Sequence, residues 1–162
     1  MSKKLNSMRL LEQHDVPYEA ISYGEPDAFH DAVEVAEMLG VPVDMVYKTL
    51  VVEPVGGGKP ALALIAANRS LDLKLLAAAM GVKKVGMAAH KDAERLTGLK
   101  VGGISALALT QKNWPVFLDQ PAMEHEHILV SAGQRGMQLR VPTAALIRVV
   151  KAKVADISTD KT

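Results

Sequence analysis

Two apolar runs, VYKTLVVEP at residues 46–54 and ALALIAA at 61–67, are joined by VGGGKP and constrain the fold more than any other stretch. Valine, tyrosine, threonine, isoleucine and leucine suit a pleated surface. A glycine tip between two such runs is the signature of a β-hairpin with a flexible loop. The second run is apolar on both of its faces, which predicts a central strand covered on both sides.

Residues 3–14 carry Leu5, Met8 and Leu11 at helical spacing, and Val16-Pro17 ends that helix before a short alternating strand over 18–23. The segment GEPDAFHD is turn-rich, and Ala32 to Leu39 then reads as a helix closed by Gly40 with Pro42 beyond. After the hairpin, Ser70 suits an N-cap and Asp72 the positive first turn of a helix over 71–80, ended by Gly81. VKKVGMA reads as a short strand, and residues 90–97 as a short helix stopped by Gly98. GLKVGGIS is too glycine-rich for either state and predicts a loop with exposed backbone. ALALT, WPVFLD, HILVS and MQLRV are four strand-like runs, with SAGQRG a turn between the last two. A helix over 143–150 follows Pro142, and VADIS adds a last edge strand. Strands outnumber helices and cluster in hairpins. The expected fold class is therefore α/β of the α+β type, a mixed, mainly antiparallel sheet curled into a barrel with helices outside it.

A chain of 162 residues with 49% hydrophobic and 23% charged residues fits a single domain over 1–162. No apolar run reaches the roughly 18 residues of a membrane span, and the first residues are charged where a signal peptide is apolar, so a cytoplasmic protein with no membrane partner is expected. The absence of cysteine removes disulfides, thiolate metal sites and a cysteine nucleophile. A formal charge of +1 gives no strong overall field, so a nucleic-acid partner would be held by a local basic patch or delivered by another protein.

Within the first run, Lys48 shares a strand face with Val46, Leu50 and Val52. The pattern by itself favours an edge lysine whose stem covers apolar surface while its ammonium reaches water. The alternative sets the ammonium in a pocket against an anionic or strongly polar ligand group. Other tempting motifs fail. GGGKP matches a phosphate loop only at Gly58-Lys59, with Glu53 and Pro60 where a glycine and a Ser or Thr are needed. His125 and His127 share a strand face, yet EHEH at a strand mouth reads more readily as a solvated edge than as a metal site. Neither Ser105 nor Ser131 sits in a GxSxG elbow, so no serine hydrolase triad is supported.

VYKTL, IAANRSLDLKLLAAAMGVKKVGMA, LTGLKVGGISAL and ILVSAGQRG, in that order and spacing, resemble the YbaK/EbsC family of aminoacyl-tRNA editing proteins. The resemblance runs from the first helix to VADIS. It implies a barrel-like mixed fold and hydrolysis of the ester of Cys-tRNA(Pro), with mischarged tRNA as substrate, prolyl-tRNA synthetase as partner and no cofactor or metal. By the same resemblance Lys48, Gly103 and Ser131 are the catalytic positions. Tyr23, Phe29, Thr49, Asn68, Gly102 and Ile104 are the substrate-binding ones. Backbone N–H groups of Gly102-Gly103 are suited to stabilising charge on the ester oxygen, and Lys48 to positioning by its charge rather than to nucleophilic attack. In the family the substrate's own thiol is thought to attack the carbonyl. The family's PLG after GGIS is here Ala106-Leu107-Ala108, a departure that bears on loop geometry and pocket size. Two alternatives stay open: a deacylase of another mischarged tRNA such as Ala-tRNA(Pro), and a non-catalytic binder of aminoacyl-tRNA or the synthetase.

Overall fold

The computed structural model describes residues 4–25 and 27–160. Lys3, where the first helix was expected to begin, and Pro26 of the turn-rich segment lie outside the described residues. In chain order the elements are α1 (Asn6–Gln13), β1 (Glu19–Ser22), α2 (Ala32–Leu39), a 3-10 turn at Val43–Met45, β2 (Tyr47–Pro54), β3 (Ala61–Ala66), β4 (Arg69–Leu71) and α3 (Leu73–Met80). There follow β5 (Val85–Met87), α4 (His90–Thr97), β6 (Val116–Asp119), β7 (His127–Ser131), β8 (Met137–Pro142), α5 (Thr143–Val150), β9 (Lys153–Ala155) and β10 (Ser158–Asp160).

The hairpin forms as its pattern requires, with β2 and β3 antiparallel and Lys48 opposite Ile65. β3 is buried along its whole length at the centre of a five-stranded sheet ordered β5-β2-β3-β6-β9. Leu62, Leu64 and Ala66 face the main core with Leu11 of α1 and Leu146 of α5, while Ala61, Ala63 and Ile65 face a second core with Leu76 of α3. That two-sided burial is what an unbroken apolar run supplies. β3–β6 and β6–β9 are parallel, and the other ladders are antiparallel. A three-stranded antiparallel sheet, β1-β8-β7, is joined to β2 by a parallel bridge between Val46 and Leu129. The sheets curl around the core without closing into a complete barrel.

Helix ends follow local chemistry. Asp31 caps α2 with a reciprocal capping box to Glu34, and Gly40 ends the helix in the left-handed region. Three local expectations are corrected. Asp72, not Ser70, caps α3, accepting from the Leu75 N–H at 3.0 Å, because Ser70 is held in β4 opposite Thr159 of β10. ALALT is not a strand. Ala108 and Leu109 donate to the carbonyls of Ser105 and Ala106, so the stretch turns and buries Ala106, Leu107 and Leu109 together. An apolar run of that length satisfies a buried turn as well as a strand. VADIS contributes to two strands rather than one, since Asp156 and Ile157 separate β9 from β10.

Asp119 explains how the end of the chain is held. Its carboxylate is fully buried, accepts from the Ile157 N–H at 3.0 Å and from the Ser158 hydroxyl, and has Arg69 Nε 3.9 Å away. Arg69 also reaches Asp160 at 2.8 Å. A buried carboxylate persists where such donors surround it.

Candidate functional site

β2 is an interior strand, but its outer side is interrupted. Its ladder with β5 covers Val52 to Pro54 and its bridge to β7 is at Val46. Among the described residues no strand is registered opposite Lys48, Thr49 and Leu50 on that side. The backbone there has a direction. Ala67 N–H donates to Val46 O at 2.8 Å, so alternation turns residues 48 and 50 toward β3. Thr49 thereby aims its own N–H and C=O into the interruption. Ala88 N–H donating to Val51 O on the same side, at 3.0 Å, fits that alternation.

A cleft of about 160 Å³ opens at this gap, lined by Lys48, Thr49, Gly102, Ile104, Ser131 and Gln138, with Phe29 and His30 also in its wall. Lys48 is therefore not the edge lysine that its pattern favoured; it is half-buried in the wall of a cavity. Val35 of α2 and Val46 supply apolar lining. Among the described residues four buried side-chain oxygens have no hydrogen-bond partner: Tyr47 Oη, Thr49 Oγ1, Ser105 Oγ and Gln138 Oε1. Tyr47, Thr49 and Gln138 all line the cleft. Buried polar atoms are usually satisfied, so orphan oxygens in a cavity wall mark where a ligand's donors belong. Burial, with the Asp119 carboxylate, pushes the Tyr47 phenol well above its ordinary value, so it stays protonated.

The two glycines divide their work. Gly102 has φ +93, and a Cβ on it would lie 3.0 Å from the Phe29 ring. Gly103 does not line the cleft. A Cβ there would meet the Arg135 nitrogen and the Gln134 carbonyl carbon at 2.8 Å, so only glycine lets this loop lie against the 131–136 turn. The Gly103 N–H donates to Lys100 O at 2.8 Å, so that amide is already engaged within the loop. Ser131 Oγ accepts from the Gly133 N–H at 3.2 Å, and no histidine is hydrogen-bonded to it among the described residues.

Not every expected residue reaches the cleft. Tyr23 is buried behind it, packed with Val35, Val46 and Leu129, with its ring edge-on to His30 at 6.4 Å. Phe29 stands at the rim, 49% exposed, with the Arg135 guanidinium 5.3 Å from its centroid. Asn68 is exposed and lines a different depression with Val33, Glu37 and Val43, so the structure does not bring it to Lys48. Ala106 and Ala108, where the chain departs from PLG, also lie outside the cleft wall. Ala106 is in the main core, and the Ala108 methyl lies 3.5 Å from where a Gly133 Cβ would stand. Sequence reasoning missed Gln138, His30 and Arg135. Gln138 alternates with Met137 and Leu139 and so reads as a solvent-facing strand residue; its register opposite Ser131 places it inside. His30 Nδ1 is 3.7 Å from Glu34.

At EHEH, His125 and His127 do not share a strand face, since His125 lies before β7 and His127 is its first residue; His125 Nε2 lies 3.7 Å from the exposed Asp44 carboxylate. Among the described residues no group of three or more His, Asp or Glu is placed to hold a metal ion, and no helix is long and apolar enough to cross a membrane.

The sequence profile of the aminoacyl-tRNA editing domain matches residues 27–149. The chain is 40% identical over 157 residues to EbsC of Enterococcus faecalis, a proposed Cys-tRNA(Pro)/Cys-tRNA(Cys) deacylase, covering 97% of this chain and 94% of that one. The fold is shared with the hypothetical protein APE2540, at a TM-score of 0.85 and 23% identity over 95% of this chain and 99% of that one. It is shared too with a proposed trans-editing enzyme for prolyl-tRNA synthetase, at a TM-score of 0.77 and 21% identity over 98% and 99% of the two chains. The chain belongs to the aminoacyl-tRNA editing domain family and, within it, to the YbaK/EbsC deacylases.

Proposed function

We propose that this protein removes cysteine from Cys-tRNA(Pro) in trans, with the aminoacyl ester held in the Lys48 cleft. The observation that carries the reading is the position of Lys48, a cation in a cavity wall that also contains Gly102, Ser131 and three residues with an unpartnered side-chain oxygen, Tyr47, Thr49 and Gln138. Likeness to EbsC over nearly the whole of both chains supports cysteine as the amino acid.

Lys48 attracts the phosphate or ribose oxygens of the tRNA end and orients the ester, a charge-positioning role that is strong in a partly desolvated site. The Gly102 N–H is the donor for the oxygen on which charge builds, and Thr49 and Ile104 contribute to the lining around it. Ser131 holds the cleft end of β7 and presents its hydroxyl to the substrate. Gly103 acts by packing the loop. The bond-breaking group is the substrate's own thiol: its sulfur bonds to the ester carbon, the carbon–oxygen bond to the ribose breaks, and the thiol proton ends on the ribose hydroxyl. The aminoacyl group leaves as a cyclic thiolactone. Selectivity for tRNA(Pro) comes from a complex with prolyl-tRNA synthetase, a reading supported by the modest charge of +1 on the chain.

Deacylation of Cys-, Ala- and Ser-charged tRNA(Pro) tests this. Cysteine should be released at least ten-fold faster than serine, because an alcohol is the poorer internal nucleophile at neutral pH. Lys48→Ala should lower kcat/KM for the cysteine ester by about 100-fold, the loss of a desolvated charge contact. Equal rates on cysteine and serine esters would sink the thiol-assisted step, and an undiminished Lys48→Ala would remove Lys48 from the site. Added synthetase should raise the preference for tRNA(Pro) over other cysteinylated tRNAs.

A further inference from the structure

The rim of the cleft contains a flat, half-open aromatic surface. Phe29 is 49% exposed, unusual for so large an apolar side chain whose ring is nonetheless fixed in place. One side of the ring rests against the Gly102 backbone, where a Cβ would stand 3.0 Å from Cδ1, and the Arg135 guanidinium carbon lies 5.3 Å from its centroid. Arg135 is itself pinned, its Nε donating to Val101 O at 2.7 Å and its Nη1 to Asp27 O at 3.4 Å. Lys100 fastens the same segment by donating to both Asp27 oxygens, at 2.8 and 2.7 Å.

The rim thus orders a phenyl ring in advance while committing its nearby cations to internal acceptors. Cations already paired with a carboxylate and with carbonyls make a poor phosphate clamp. What remains on offer is a rigid π-face backed by a guanidinium, the construction that stacks a nucleobase of a single-stranded end. The geometry points to Phe29 with Arg135 as the platform for the terminal base of the tRNA, on the outside of the cleft that takes the aminoacyl ester. This rests on the reading of the cleft given above, since an ester in the cleft puts the base attached to the same ribose at the rim.

The test compares cysteinyl RNA minihelices ending in adenosine with the same minihelices ending in an abasic nucleotide. Wild type should favour the adenosine end by about ten-fold in kcat/KM. Phe29→Ala should collapse that preference toward unity, and Phe29→Tyr should keep it. The preference should hold between roughly 50 and 200 mM salt, because stacking, unlike phosphate contact, releases no counterions. No preference in wild type, a preference undiminished in Phe29→Ala, or one that vanishes with salt would each overturn the platform. Binding separates this inference from the reading beneath it. If wild type hydrolyses neither minihelix, the deacylase reading fails, while adenosine monophosphate and ribose 5-phosphate still test the platform by NMR titration. Adenosine monophosphate should shift the Phe29 ring resonances at about ten-fold lower concentration than ribose 5-phosphate, and equal response would overturn it.

Discussion

The Cα of Gly103 lies so close to the backbone of Arg135 that a Cβ added there would be 2.8 Å from the Arg135 nitrogen. Because the obstacle is backbone, no rotamer change relieves it. Gly103→Ala should therefore lower stability by about 1–3 kcal/mol, the scale of overpacking in a close-packed region. Gly102→Ala meets the edge of the Phe29 ring at 3.0 Å, a milder approach than the 2.8 Å backbone contact at Gly103, but adopts φ +93, so a loss of about 1 kcal/mol is expected from backbone strain. Urea denaturation of the two variants should rank Gly103→Ala as the more destabilised, and a reversed order would show that the loop's place is not set by that contact.

Gln138 is 5% exposed and its Oε1 has no partner, although it lines the cleft. Replacing it by leucine removes an unsatisfied buried oxygen, so stability should be unchanged or raised by about 1 kcal/mol. The same change removes an acceptor for the substrate, and kcat/KM should fall by about ten-fold, the worth of one hydrogen bond of about 1.4 kcal/mol. Thermal melting paired with the deacylation assay checks both signs together. A variant that loses stability and keeps activity would make Gln138 a structural residue.

Asp119 is fully buried and holds Ile157, Ser158 and Arg69. Asp119→Ala leaves those donors unpaired, and a loss of about 3 kcal/mol is expected. Hydrogen exchange at the Ile157 amide should accelerate more than at Leu64 in β3, because β10 pairs with β4 and not with the central sheet. Uniform acceleration across both would show that the clasp and the core open as one unit.

Tyr18 titrates late for a stated reason: burial, and its hydrogen bond to the Glu12 carboxylate at 2.6 Å, push the phenol up to about 12. A folded value above the unfolded value of about 10 means the contact stabilises the protein fully below pH 10 and is lost as pH rises toward 12. Absorbance at 295 nm should show the Tyr18 step disappear in Tyr18→Phe. A step near pH 10 that vanishes in that variant would contradict the contact.

Local chemistry made much of the fold legible. The limits of α2 follow from its Asp31 cap and Gly40, the end of α4 from Gly98, the start of α5 from Pro142, and the β2–β3 hairpin from its glycine tip, because these signals lie within a few residues of what they control. ALALT misled because burial, not backbone pairing, is all that an apolar run specifies. Ser70 misled because its competitor for the cap, Asp72, is two residues away, and β10 is what claims it. At the site, Lys48, Thr49, Gly102, Ile104 and Ser131 were legible through motif order and converge on one cleft, with Phe29 at its rim. Gln138 was not, since strand alternation marks only which residues share a face and not whether that face is covered.

What the sequence determined alone is therefore local and periodic: where most of the helices and the β2–β3 hairpin run, that β3 is central, and that Lys48 is out of place among apolar neighbours. Only the tertiary structure decided that β5 and β7 stop short of each other along β2, leaving the gap into which Thr49 turns its backbone. It also decided that Gly103 serves packing while Gly102 faces the cavity. The physical reason is that a cleft is an absence of pairing between segments far apart in the chain. No residue encodes such an absence by its own propensity; it appears when separate ladders are placed in one register.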